Sequence, residues 1–395
     1  MSKTIHILGA GQWQVPTIRL AKASGYRTFV TDIYSDRPGY AFADEYECVD
    51  ITDMDLTLRA AMRHRVDGIV CDTTDVGVPT MAYVADHLGL PGIGYETALN
   101  FTDKHRMRCL TSEAGVRNPP FRLVISPDEA RRAANHIGLP VVVKPVDNQS
   151  SRGVHVVRTL EQVEVFAEDA IRCSRSKRAI IEGFLDGTEV TVESFCSDGE
   201  IFVAGISDKD HFAHRPEVAN RLTYPAAFPP ETLQRIRDMN EKVVRTLGLK
   251  AGIAHAEYIV VGADVFLVEI AARGAGSRVY SHIVPYLAGA SVPKTYLEFI
   301  VGGRMSIRPD GKLRAANLAF FEFSPGTVRR IEGLDEAQKV SGVQEILLEF
   351  NVGDRLNLPE DDRSRPGLVV VFGTTRDEVL AATARVFDTI RVETQ

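Results

Sequence analysis

Glu257 and Glu269 lie on the two arms of an apolar segment, Ile253 to Ala271, whose centre is Gly262-Ala263-Asp264. If these three residues form a hairpin loop, Val261 pairs with Val265 and Glu257 stands directly opposite Glu269. Side chains so opposed have Cβ atoms about 5 Å apart, and like charges there destabilise a sheet. Two carboxylates placed among Ile259, Val260, Phe266 and Leu267 ask for a cation between them, and hard oxygen ligands suit magnesium bound to a nucleotide phosphate. A shifted register would turn one glutamate toward water.

Directly after Glu269 comes Ile270-Ala-Ala-Arg273-Gly274-Ala-Gly-Ser277. Small residues let backbone N–H groups approach an anion, and Arg273 adds a bidentate donor, so this stretch is a candidate pocket for a reacting carboxylate or phosphoryl group. Val141-Val-Val-Lys144-Pro145 is a buried strand ending in a lysine, which needs an anionic partner. The stretch from Asp147 to Val154 joins two strands through small polar residues and Gly153. Lys104 precedes a helix, and Glu182 to Glu189 is a strand end, a short linker and a second carboxylate. The remaining unusual polar stretch, Ser207 to Arg215, carries Lys209, His211 and Arg215 and reads as a basic loop facing either a substrate or solvent.

The elements that must position these residues follow from periodicity. Short β-rich runs alternate with amphipathic stretches up to about residue 100, the order of a parallel α/β sheet. Gly9 and Gly11 with Asp32 form half of a dinucleotide fingerprint, but Gln14 stands where its third glycine belongs, which favours a plain tight turn. From Phe121 to about Phe195 the pattern is that of a small α+β subdomain, and the last residues form another strand-rich unit with a terminal helix. The chain of 395 residues has a net charge of −7 and no basic run, which argues against nucleic acid. Its apolar runs are far shorter than the roughly 20 residues of a membrane helix. Five scattered cysteines without a C-x-x-C pair fit reduced thiols and a cytoplasmic location. A homodimer is the one macromolecular partnership left open.

Taken in order, Lys104, Lys144-Pro145, Ser150-Ser151-Arg-Gly153, Glu182-Gly-Phe184-Leu185-Asp-Gly-Thr-Glu189, Glu257 and Glu269-Ile-Ala-Ala-Arg273 resemble the ATP-grasp ligase superfamily over about the whole chain. The resemblance implies an α/β and α+β multidomain protein: an N-terminal parallel α/β domain at 1–100, an ATP-grasp domain at 101–310 with a lid subdomain at about 121–195, and a C-terminal strand-rich α+β subdomain at 311–395. It implies ATP and Mg2+ as cofactors. Lys104 and Lys144 would hold phosphates, and Ser150, Ser151 and Gly153 would close over them. Glu182 and the backbone of Phe184 and Leu185 would meet adenine, Glu189 the ribose, and Glu257 and Glu269 the metal. Many members carry an asparagine two residues after the second metal glutamate, where this chain has Ala271.

The implied reaction is ADP-forming: ATP phosphorylates a small-molecule carboxylate and an amine displaces the phosphate, with Arg273 and Lys144 as catalytic residues. Lys209, His211, Arg215, Gly274 and Ser277 are the candidate substrate contacts. The C-terminal unit, with Gly326, Gly342 and Arg365-Pro-Gly-Leu-Val-Val-Val-Phe, looks most like the carboxylate–amine ligases that make dipeptides or amides. The alternatives are a purine-pathway type of carboxylase using bicarbonate, or a nucleotide-binding regulator that has lost catalysis.

Overall fold

The structure is a computed structural model describing residues 2–149 and 152–395. Strands β1 (Thr4–Leu8), β2 (Arg27–Asp32), β3 (Glu45–Cys48) and β4 (Gly68–Val70) form a parallel sheet in the order β3-β2-β1-β4. Its strands bury side chains on both faces: Ile5, Ile7 and Val70 on one, Leu8, Phe29 and Ile69 on the other. That is the signature of a sheet covered by helices on two sides. The carboxyl ends of β1, β2 and β4 bring the Gly9–Gly11 turn, Asp32 and residues 72–75 to one edge, where open α/β sheets take ligands.

A second sheet consists of β5 (Phe121–Val124), β6 (Val141–Pro145), β7 (His155–Val157) and β8 (Ala179–Gly183), antiparallel in the order β5-β8-β6-β7. Helices Pro127–Ile137 and Leu160–Cys173 cover one face, their alanines at 130, 134, 167 and 170 packed with Val141, Val143 and Ile181. Because side chains alternate, Lys144 and Glu182 belong to the opposite face.

The remaining strands are β9 (Thr188–Ser197), β10 (Glu200–Phe212), β11 (Arg215–Tyr224), β12 (Gly252–Val261) and β13 (Asp264–Ala271). They are followed by β14 (Ala315–Phe320), β15 (Gly326–Glu332), β16 (Val343–Leu348), β17 (Arg355–Leu356), β18 (Gly367–Gly373) and β19 (Arg391–Thr394). Among the described residues, one eight-stranded sheet runs β13-β12-β9-β10-β11-β14-β18-β16, and β17-β15-β19 form a small separate one.

Three expectations change. β9 lies within the anticipated subdomain at about 121–195, yet it pairs with β10 and β12 in the large sheet, so the small sheet ends at Gly183. The sheet also continues across residue 310, because β14 pairs with β11 from Arg221↔Ala319 to Tyr224↔Ala316. The stretch Ser207 to Arg215 is not a loop. Most of it is the end of β10, which pairs with β11 from Asp208↔Thr223 to Phe212↔Arg215 through two irregularities in register.

Candidate active site

Register decides which side chains of the large sheet share a face. Val190, Val192, Ala256, Tyr258, Val265 and Leu267 turn to the back, where Ile236, Val243 and Leu247 of the helix Pro230–Leu247 cover them. The front face receives the polar residues of the same strands. Across β9 and β12, Glu189 pairs with Ile259, Thr191 with Glu257 and Glu193 with His255; across β12 and β13, Glu257 pairs with Glu269.

Glu257 therefore opposes Glu269 as expected, but by another route. The turn is the two-residue Gly262-Ala263, so Val261 pairs with Asp264 and not with Val265. A bulge between the pairs Tyr258↔Leu267 and Glu257↔Glu269 accommodates Val268 as an extra residue and restores the glutamate pair. Gly262 has φ +59°, the left-handed backbone that such a tight hairpin turn requires.

Each front-face carboxylate has a cationic neighbour. Lys209 Nζ bridges Glu189 Oε1 at 2.6 Å and Glu257 Oε1 at 2.9 Å, and His211 Nε2 lies 3.1 Å from Glu189 Oε2. Burial opposes the charge on Lys209, but Glu189 and Glu257 outweigh it and raise its pKa. Burial likewise opposes protonation of His255, yet Glu193, 2.8 Å from Nδ1, pushes the imidazole up to about 9. Tyr224 closes this corner, with its hydroxyl 3.2 Å from Glu193 Oε1. Burial alone would raise Glu257; the charges of Lys209 and His255 hold it well below the usual carboxylate range.

Lys104 reaches the other glutamate, with Nζ 2.8 Å from Glu269 Oε1 and donating to Asn148 O at 2.8 Å. It opens the helix Lys104–Glu113 and does not merely precede it, because Asp103 caps the helix by accepting from Arg106 N–H at 2.9 Å. A lysine is unfavourable at the positive end of a helix dipole, so its place there is explained by the anions it faces. Lys144 Nζ meets Glu182 Oε2 at 2.7 Å, and Arg108 Nε meets Glu182 Oε1 at 2.8 Å. Both oxygens of Glu182 are thus already engaged.

Arg273 is bidentate, but to a carboxylate of the N-terminal unit: Nε to Asp75 Oδ1 at 2.6 Å and Nη2 to Asp75 Oδ2 at 2.9 Å. Gly274 N–H donates to Asp72 O at 2.8 Å, and a Cβ on Gly274 would lie 2.3 Å from the Tyr280 ring. Ser277 and Arg278 both have positive φ, +49° and +72°, an uncommon pair for residues other than glycine. In the N-terminal turn, Gln14 lies over Gly9 and Gly11 and donates to Thr73 Oγ1 at 2.6 Å, while Ala10 N–H donates to Asp32 at 2.9 Å. The space above the glycines is filled by a side chain, as a structural turn would have it.

Other candidates fall around this centre. Phe184 N–H donates to Pro140 O at 3.1 Å, which leaves its carbonyl and the half-buried Leu185 at the linker. Gly153 has φ +73° and packs on Pro145 and Cys173. Ser150 and Ser151 lie outside the described residues. Arg215 begins β11 at the turn end of the hairpin, paired with Phe212, with its guanidinium 3.5 Å from Glu217. Sequence reading missed Asp75, Arg108, Glu193, Tyr224 and His255. Two of these had a signal: His255 stands two residues before Glu257, and Glu193 four after Glu189, the spacing that puts strand residues on one face.

The donor set fits magnesium. Among the described residues neither Glu257 Oε2 nor Glu269 Oε2 accepts a hydrogen bond, so each carboxylate keeps one oxygen for a cation. No group of three or more His, Cys, Asp or Glu side chains with metal-holding geometry occurs among the described residues. Magnesium needs no such cage; one or two carboxylates with nucleotide phosphates and water suffice.

Residues 137–281 match the model of the ATP-grasp domain, and residues 319–395 match L-amino acid ligase C-terminal domain 2. The chain thus carries segments similar to an ATP-grasp domain and to an L-amino acid ligase C-terminal domain. Over 406 residues, covering 99% of this chain and 98% of the relative, it is 26% identical to formate-dependent phosphoribosylglycinamide formyltransferase of Synechococcus sp. (strain CC9311). It is 27% identical to the Rhodococcus jostii (strain RHA1) protein of the same name, over 68% of each chain. L-amino acid ligase from Bacillus licheniformis shares the fold with a TM-score of 0.84 at 21% identity, over 100% of this chain and 99% of that one. Among the described residues no helix is long and apolar enough to cross a membrane.

Proposed function

We propose that the chain is an ADP-forming ligase that joins a small carboxylate to an amine through an acyl phosphate. The observation that carries this reading is the convergence of Glu257, Glu269, Lys104 and Arg273 at one end of a single sheet face, beside the small-residue stretch 274–277. In this reading Lys104 and Lys144 hold phosphates, Glu182 and the 184–185 backbone meet adenine, and Glu189 meets the ribose. Glu257 and Glu269 hold magnesium, which when bound neutralises phosphoryl oxygens.

The residues of the chain supply position and charge. The lysines draw the triphosphate against the front face, and Arg273 presents a planar fork to a planar carboxylate. Arg273 holds such a group already in Asp75, so a substrate carboxylate or acyl phosphate displaces or shares that contact. A substrate oxygen attacks the γ-phosphorus and ADP leaves; the amine then attacks the acyl carbon and phosphate leaves with one former carboxylate oxygen. No protein nucleophile takes part. The match of residues 319–395 to the L-amino acid ligase domain favours amide or peptide products over carboxylation.

The test begins with a library of carboxylates and amines screened for phosphate release from ATP. With the pair so found, 18O in the carboxylate is expected in inorganic phosphate, with ADP as the other product. Label in AMP would mean adenylation and sink the reading. Phosphate release that needs bicarbonate in place of another carboxylate would move the chain to the carboxylase reading.

A further inference from the structure

Asp75, the carboxylate that holds Arg273, belongs to a short stretch of the N-terminal unit that three other parts of the chain grip. At its start, Asp72 O accepts from Gly274 N–H at 2.8 Å, and Thr73 Oγ1 accepts from Gln14 Nε2 at 2.6 Å. At its end the partner is Gln149, from the turn after β6: its Nε2 donates to Thr74 Oγ1 at 2.9 Å and its Oε1 accepts from Asp75 N–H at 2.5 Å. Asp75 opens a short 3₁₀ turn, Asp75–Gly77. The first N–H groups of such a turn have no partner within it, so Gln149 supplies an acceptor that helical bonding cannot.

The preceding residue carries the same turn to the phosphate side. Asn148 O accepts from Lys104 Nζ at 2.8 Å, and Lys104 is the lysine that meets Glu269. One carbonyl of this turn therefore touches the lysine read as a phosphate ligand, and the next side chain holds the residue that pairs with the arginine read as the acyl ligand. The Asp75 and Arg273 side chains are 13% and 15% exposed, so water offers the pair few other partners and its geometry follows the backbone of 72–75. A guanidinium fork serves a reacting carboxylate only when it is aimed to within a fraction of an ångström.

We propose that Gln149 is a positioning residue: by holding Thr74 and Asp75 it sets the Arg273 fork for the carboxylate substrate, in step with the phosphate lysine bound to the same turn. Gln149 itself touches no substrate in this role. The inference rests on the acyl-phosphate reading above for what Arg273 does, whereas the contacts can be tested without it.

Hydrogen–deuterium exchange on the full chain without nucleotide tests the contacts. Gln149→Leu keeps the bulk of the side chain and removes both hydrogen bonds; it is expected to lose protection in the peptide holding Asp75 and also in the peptide holding Gly274, whose N–H bonds to Asp72 O. Thr74→Val should do the same more weakly, and Thr74→Ser should keep the wild-type pattern. Thr74→Val decides the matter if Gln149→Leu fails to fold. Loss confined to the Asp75 peptide, or no loss at all, overturns the proposal whatever reaction the chain performs. With a carboxylate and amine pair found by phosphate release, Gln149→Leu is expected to lower kcat/KM for the carboxylate about 10-fold, while the Kd of a nonhydrolysable ATP analogue with magnesium stays within about 2-fold. Equal losses in the two, or none in either, overturn it as well. If no pair releases phosphate, the acyl-phosphate reading fails and takes the role of Gln149 with it, even where the exchange pattern holds.

Discussion

Two ionic clusters flank the candidate site, and they are built differently. In the first, Arg108, Glu182 and Lys144 have side chains 0%, 4% and 6% exposed; in the second, Lys209, Glu189 and Glu257 are 13%, 20% and 25% exposed. The first is drawn from the helix Lys104–Glu113 and the small sheet, and Arg108 also donates to Val268 O at 2.6 Å in the bulge of β13. It ties the small sheet to the large one. The second lies on one sheet face and stays open on one side. Breaking the closed cluster leaves a charge unpaired in a poor solvent, so it fixes geometry whatever else Lys144 and Glu182 meet. An open cluster can exchange a partner for a ligand at little penalty.

The comparison yields expected outcomes in decreasing size. Arg108→Leu should destabilise the fold by about 3–5 kcal/mol, since Val268 O loses its donor and Glu182 keeps Lys144 alone. Chemical denaturation measures it, and a change under about 1 kcal/mol would show that the closed cluster is no tie. Glu269→Gln should act chiefly on turnover, down at least about 10²-fold if its charge acts on the transferring phosphoryl group, with some loss of stability because Lys104, 5% exposed, loses its anion. Near-normal turnover in that variant would break the assignment of Glu269 to the phosphoryl site.

Arg273→Lys comes next, with turnover falling by about 10–10²-fold, as expected when a bidentate charge-assisted contact becomes a single one. ATP affinity should change much less. A variant with weakened nucleotide binding and normal turnover would remove Arg273 from the acyl site. The smallest effect is acid dependence. Burial pushes Glu182 up, but Arg108 and then Lys144 hold its pKa below the ordinary 4.5. The ion pairs therefore contribute stability that is present above pH 4.5 and lost as pH falls through the lower native value. Unfolding midpoints at pH 7 and pH 4 should differ less in Glu182→Gln than in the wild type, and equal differences would show the pairs to be thermodynamically silent.

Much of the site was legible from residue type and spacing, and the reasons are local. An apolar run with two glutamates equidistant from Ala263 can fold back in few ways, so the Glu257 and Glu269 pair was found even though the turn is one residue tighter than counted and a bulge makes up the difference. The parallel order of the first four strands likewise follows from alternating strand and helix patterns. Less visible was the extent of each sheet. Ser207 to Phe212 reads as polar and loop-like because its charges face other charges, not because it lies outside a sheet.

What the sequence by itself determined was a set of charged groups proposed to meet a nucleotide and the elements that carry them, since periods of 2 and 3.6 are properties of neighbouring residues. Their pairing was decided only by the tertiary structure. Asp75 meets Arg273 from 198 positions away, and Arg108 meets Glu182 from 74. A charge in the interior must be neutralised by whatever the fold brings beside it, and no local pattern records which distant carboxylate that will be. Lys209, read as a substrate contact, thereby becomes a cation shared by two carboxylates of the sheet face.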